Sequence, residues 1–128
     1  MTAGVSSSSL KSPREPALDP AVFGELRRLG QAPASNFLVN LVNQFVRDTE
    51  TQLKELRKAF GGRDARTVSE IAHTIRGSAG QMGGRRLSLS CGYLEAEVDA
   101  GRLLTSGQGL QQVEADYDEM RSVLRAAL

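Results

Sequence analysis

Residues Glu70 to Arg86 read EIAHTIRGSAGQMGGRR. With Val68 just upstream, the apolar side chains Val68, Ile71, Ala72, Ile75, Ala79 and Met82 recur at steps of three and four. That is the period of a helix with one buried stripe and not the alternation of a half-buried strand. The helix is expected to begin after Asp64 and to stop near Gly83-Gly84. The same stretch holds the chain's only histidine, His73, together with glycines at 77 and 80. In an exposed helix interior each glycine costs up to about 1 kcal/mol relative to alanine.

Outward from this segment the rhythm repeats. Upstream, a long helix is expected from about Ser35 to Phe60, with Leu38, Leu41, Val42, Phe45, Leu53, Leu56 and Phe60 on one stripe and a glycine pair ending it. Downstream, Leu87, Cys91, Leu94 and Val98 mark a helix from about Arg85 to Ala100, closed by Gly101. Another, from about Ser106 to the C-terminus, carries Leu110, Val113, Tyr117, Met120, Leu124 and Ala127. A short first helix has Asp19 as N-cap, Pro20 at the first helical position, where a missing N–H is harmless, and Gly30 as its stop. No segment alternates with period two for long enough to form a sheet. The fold expected is therefore all-α: an antiparallel up-down four-helix bundle with a short accessory N-terminal helix.

At 128 residues the chain supports one core. Residues 1–17, MTAGVSSSSLKSPREPA, are rich in Ser and Pro and read as a disordered linker, leaving 18–128 as the bundle domain. A serine-rich segment at the front suggests the terminal module of a larger protein. Sixteen Lys and Arg against 15 Asp and Glu give a net charge of +1, so no global field draws the chain to nucleic acid or anionic lipid. No apolar run approaches the roughly 20 residues of a membrane span, and the N-terminus lacks a signal-peptide pattern, so a soluble, cytoplasmic chain without direct membrane contact is expected. The lone Cys91 lies in an apolar rhythm and reads as a buried structural thiol.

On a helical wheel Arg66, His73, Gly77, Gly80 and Gly84 fall opposite the apolar stripe, with Ser69 and Arg76 flanking them. Missing β-carbons on that face let another protein's backbone approach and leave the imidazole accessible, which makes Gly77 and Gly80, with Ser69 flanking them, candidates for steric access and partner docking. Arg76, three residues from His73, places a planar donor fork suited to phosphate oxygens beside a potential nucleophile. Arg63, Arg66, Arg76, Arg85 and Arg86 against Asp64 and Glu70 make the region locally basic. Gly83 and Gly84 read as helix-end residues.

Ala72 to Glu95, AHTIRGSAGQMGGRRLSLSCGYLE, resembles the signature of histidine-containing phosphotransfer (HPt) domains, roughly A-H-x-L-K-G-S-A-x-x-x-G-x-x-x-L-x-x-x-C-x-x-L-E. The agreement covers His73, Gly77, Ser78, Ala79, Gly83, Leu87, Cys91, Leu94 and Glu95, and Leu18-Asp19 and the Phe45/Asp48 pair fit its flanks. The resemblance implies that His73 is the phosphoacceptor, with the ring nitrogen distal to the chain attacking the phospho-aspartate of a response-regulator receiver domain and returning the phosphoryl group to another. It also implies that Arg76 stands for the usual lysine and orients phosphate, and that Gly77 clears space beside the ring. The chain would be a carrier with no kinase or ATP-binding activity of its own, holding no cofactor or metal, with Mg²⁺ in the partner receiver and possible attachment to a hybrid sensor kinase. Consistently, the sequence has no Walker loop, no H-E-x-x-H and no Cys-His metal spacing. A docking module that regulates a signalling partner through the same face without phosphotransfer is the other reading. The sequence leaves open whether Glu95 or another polar side chain of the fourth helix bonds the imidazole.

Overall fold

The computed structural model describes residues 16–30, 36–103 and 107–128. Five helices follow in order: α1 (Pro20–Leu29), α2 (Phe37–Gly61), α3 (Ala65–Gln81), α4 (Arg85–Asp99) and α5 (Gly107–Ala126), with no strand among the described residues. The expected linker lies outside the described residues except for Pro16 and Ala17, and Ala17 and Leu18 are already buried.

Local chemistry sets the boundaries. The Asp19 carboxylate accepts from the Ala21 N–H at 2.9 Å and Pro20 opens α1, so the first-turn donors that lack helical partners are few. Asp64 caps α3 twice, accepting from the Thr67 N–H at 3.2 Å and from its hydroxyl at 2.6 Å. These bonds lower the Asp64 pKa, the hydroxyl bond most. Gly83 has φ +83°, a left-handed conformation that ends α3, and its carbonyl accepts from the Asp19 N–H, fixing the start of α1 on the α3–α4 turn.

Turns this short between α2 and α3 and between α3 and α4 force antiparallel neighbours, and α5 closes the ring by packing on both α4 and α2. The centre is dry: Val42, Leu56, Val68, Ala72, Ile75, Leu87, Cys91, Leu94, Val113, Met120 and Leu124 are inaccessible to solvent. Each large aliphatic side chain there contributes about 1.5–3 kcal/mol of transfer free energy. Phe23 fixes α1 to this core, and Arg27 donates to the Ala127 carbonyl at 3.1 Å, linking α1 to the end of α5. The accessory helix and the four-helix bundle are as the sequence implied.

Two expectations shift in detail. On α2 the buried row is Val42, Phe45, Val46, Thr49, Leu53, Leu56 and Ala59, whereas Leu38, Leu41 and Phe60 are only partly covered. Gly84, assigned by the wheel to the outer face, is buried, and a β-carbon there would overlap the Met120 thioether and lie 3.2 Å from the Ala79 carbonyl oxygen. The reason is that α3 ends at Gln81, so the chain has already turned inward and the 100° step no longer applies. Cys91 is the buried thiol expected; burial is the main cause that raises its pKa to about 12, so it stays protonated and unreactive.

Candidate functional site

Helix α3 presents its Val68, Ala72, Ile75 and Ala79 row to the core, and the 3.6-residue period then leaves His73 outside. The His73 side chain is 62% exposed. Gly77, one turn on, is exposed, and a β-carbon built there meets nothing within 4 Å. Gly80 is exposed too, with only the Ser88 hydroxyl at 3.7 Å from its would-be β-carbon. The strip beside the imidazole is therefore open.

What α3 cannot show alone is that α4 builds the other wall. Ser88, Gly92 and Glu95 recur along α4 at helical spacing and face α3. The Ser88 hydroxyl donates to the Arg76 carbonyl at 3.1 Å. A β-carbon at Gly92 would lie 3.3 Å from Arg76 Cδ, so the absence of one lets the arginine stem lie across α4. Glu95, with a side chain 19% exposed, brings Oε2 to 3.1 Å from His73 Nδ1. Arg76 brings Nη2 to 2.9 Å from the same Nδ1 and to 3.6 Å from Glu95 Oε1. That Oε1 is buried and has no hydrogen-bond partner among the described residues.

His73, Arg76 and Glu95 thus form one cluster in which both neighbours address Nδ1. A proton on Nδ1 donated to Glu95 leaves the lone pair on Nε2, the nitrogen pointing away from the chain, which is the arrangement a nucleophile needs. Arg76 supplies a guanidinium within reach of a phosphoryl group arriving at Nε2.

The remaining expected residues distribute differently. Ser69 is half-buried and donates its hydroxyl to Asp99 Oδ1 at 2.8 Å, a bridge from α3 to α4 a turn away from the imidazole. Arg66 pairs with Glu70 at 3.2 Å and Arg86 pairs with Glu119 on α5, so much of the local positive charge is internally answered. Gly92 went unrecognised as part of the site, because only the α3–α4 packing shows that its face meets Arg76. Its one sequence signal is its helical register, four residues after Ser88 and three before Glu95.

The Hpt domain family model matches residues 40–123, the span that carries α3, α4 and most of α2 and α5. The chain belongs to that family. Among solved structures it is similar to histidine-containing phosphotransfer protein B (HptB) from Pseudomonas aeruginosa PAO1, 27% identical, with a TM-score of 0.78 over 88% of this chain and 94% of that one. The fold is shared with histidine-containing phosphotransfer protein MtHPt2 from Medicago truncatula (21% identity, TM-score 0.78, 97% of this chain and 85% of that one). It is shared also with a putative histidine-containing phosphotransfer protein from rice (20% identity, TM-score 0.76, 97% and 87%). No curated protein sequence matches the chain. The family and fold define a phosphorelay intermediate of two-component signal transduction.

Proposed function

We propose that His73 is the phosphoacceptor of this relay and that it exchanges a phosphoryl group with aspartates of response-regulator receivers. The single observation that carries the reading is the exposed imidazole whose Nδ1 is 3.1 Å from Glu95, next to the open Gly77 surface. In the forward step the Nε2 lone pair attacks phosphorus, and the P–O bond to the receiver's aspartate breaks with its electron pair leaving as carboxylate. The Nδ1 proton remains on the ring, and the Glu95 carboxylate offsets the positive charge that the imidazole acquires. Arg76 meets the non-bridging oxygens as they swing onto Nε2. The reverse sequence delivers the group to a second receiver.

Mg²⁺ belongs to the receiver in this reading. No helix among the described residues is long and apolar enough to cross a membrane. The same reading includes attachment to a sensor kinase and a cytoplasmic location.

Incubation with a phosphorylated receiver should place acid-labile, base-stable label on the chain, and His73→Gln should abolish it. Label that survives the substitution would overturn the assignment. Normal receiver binding with no phosphohistidine from any donor would favour the docking module instead.

A further inference from the structure

Both neighbours of the imidazole address one atom. Arg76 Nη2 is 2.9 Å and Glu95 Oε2 3.1 Å from His73 Nδ1. A ring nitrogen has a single in-plane position, filled either by a proton that Glu95 accepts or by a lone pair that accepts from Arg76. The two hydrogen bonds therefore belong to different tautomers. With the arginine bond made, the neutral ring carries its proton on Nε2 and has no lone pair there to attack phosphorus. With the glutamate bond made, Nε2 is free to attack.

We propose that Arg76 is a positioning residue with two states, holding the uncomplexed imidazole in the non-nucleophilic Nε2–H tautomer and releasing it when a phosphoryl group draws the guanidinium away. Gly92 is what seats the arginine in the first state, because any β-carbon there would meet Arg76 Cδ at 3.3 Å. The geometry also supplies the release. The Arg76 side chain is 43% exposed and its Nη2 is 3.6 Å from Glu95 Oε1, beyond hydrogen-bond distance, so no hydrogen bond to Glu95 holds the guanidinium back when a phosphoryl oxygen competes for it from solvent. Once the guanidinium moves, the ring proton passes from Nε2 to Nδ1 through water, with no net gain or loss, and Glu95 accepts it there. The chain is then a poor nucleophile alone and a competent one only with donor in place.

This inference rests on His73 being the phosphoacceptor, but its test reads the tautomer in the unphosphorylated protein, so the two fail separately. The ¹⁵N shifts of the labelled His73 ring would be recorded at about pH 9, where an ordinary imidazole is neutral. The wild-type ring should be mainly Nε2–H. Arg76→Ala should move the ratio toward Nδ1–H by about threefold to tenfold, the range for a partly exposed, charge-assisted hydrogen bond. Glu95→Gln should leave Nε2–H dominant. Gly92→Val, with helicity checked by circular dichroism, should reproduce the Arg76→Ala shift while keeping the arginine. A wild-type ring already Nδ1–H, or a ratio that ignores both Arg76→Ala and Gly92→Val, would overturn the proposal. A merely structural role for Arg76 would change stability and leave those shifts where they were.

Discussion

At Gly77 folding and function make opposite demands on one side chain. It lies inside α3, one turn from His73, and a β-carbon there would meet no atom within 4 Å. Gly77→Ala should therefore stabilise the isolated protein by about 0.5–1 kcal/mol through helix propensity alone. For a domain of this size that is a rise in Tm of roughly 2–6 °C. Phenylalanine has a helix propensity between those of alanine and glycine, so Gly77→Phe should fold at least as well as wild type. Its ring would stand on the surface a receiver must approach, and a misfit of about 1.4–2.8 kcal/mol would slow transfer roughly 10- to 100-fold. Urea unfolding followed by circular dichroism gives the stability, and rapid-quench transfer from a phosphorylated receiver gives the rate. Phosphorylation by phosphoramidate, a donor small enough to pass the ring, should be nearly unchanged. Wild-type transfer by Gly77→Phe would show that the receiver does not use this strip, and a destabilised Gly77→Ala would show that the backbone there requires glycine.

A second expectation concerns Asp116 on α5, which is 3% exposed, accepts from Gln112 at 2.9 Å through Oδ1 and has no hydrogen-bond partner for Oδ2 among the described residues. Burial is the largest influence on its carboxyl and raises its pKa, against lowering contributions from Gln112, Ser90 and Arg86. The folded state then holds this proton more tightly than the unfolded one, so its stabilising contribution is present at acid pH and is lost as pH rises through the raised value. Asp116→Asn should remove that slope and raise stability at neutral pH by about 1 kcal/mol; equal pH profiles for the two proteins would refute it. Gly84→Val should cost about 1–3 kcal/mol in urea unfolding, because its side chain must displace Met120 while the Ala79 carbonyl cannot move; an unchanged midpoint would mean that the α3–α4 turn is looser than it stands here.

The helices and the exposure of His73 were legible from spacing, because a 3.6-residue period specifies which side of α3 must face apolar neighbours whatever those neighbours are. The same logic put Gly77 beside the imidazole, and the signature from Ala72 to Glu95 pointed to the phosphotransfer family. The Asp19 cap was legible too, since it acts within a few residues of its own position. The wheel failed at Gly84, where the helix had ended, and it could not separate Leu38 from Val46 on α2, because coverage there depends on how the neighbouring helices lie.

Glu95 marks the division. Its place in the signature was visible, but its reach to His73 Nδ1 depends on the rotation of α4 against α3, which packing across the two helices sets. The meeting of Arg76 with Gly92 and the answering of Arg86 by Glu119 have the same origin. Sequence by itself determined which residues form helices, which face of α3 is buried, and that one histidine stands outside, because these follow from backbone periodicity and local hydrogen bonding. Tertiary structure alone decided which side chains surround that histidine. Partners 12 to 33 residues apart meet only where close-packed cores fix the register between helices, and no local pattern encodes that register.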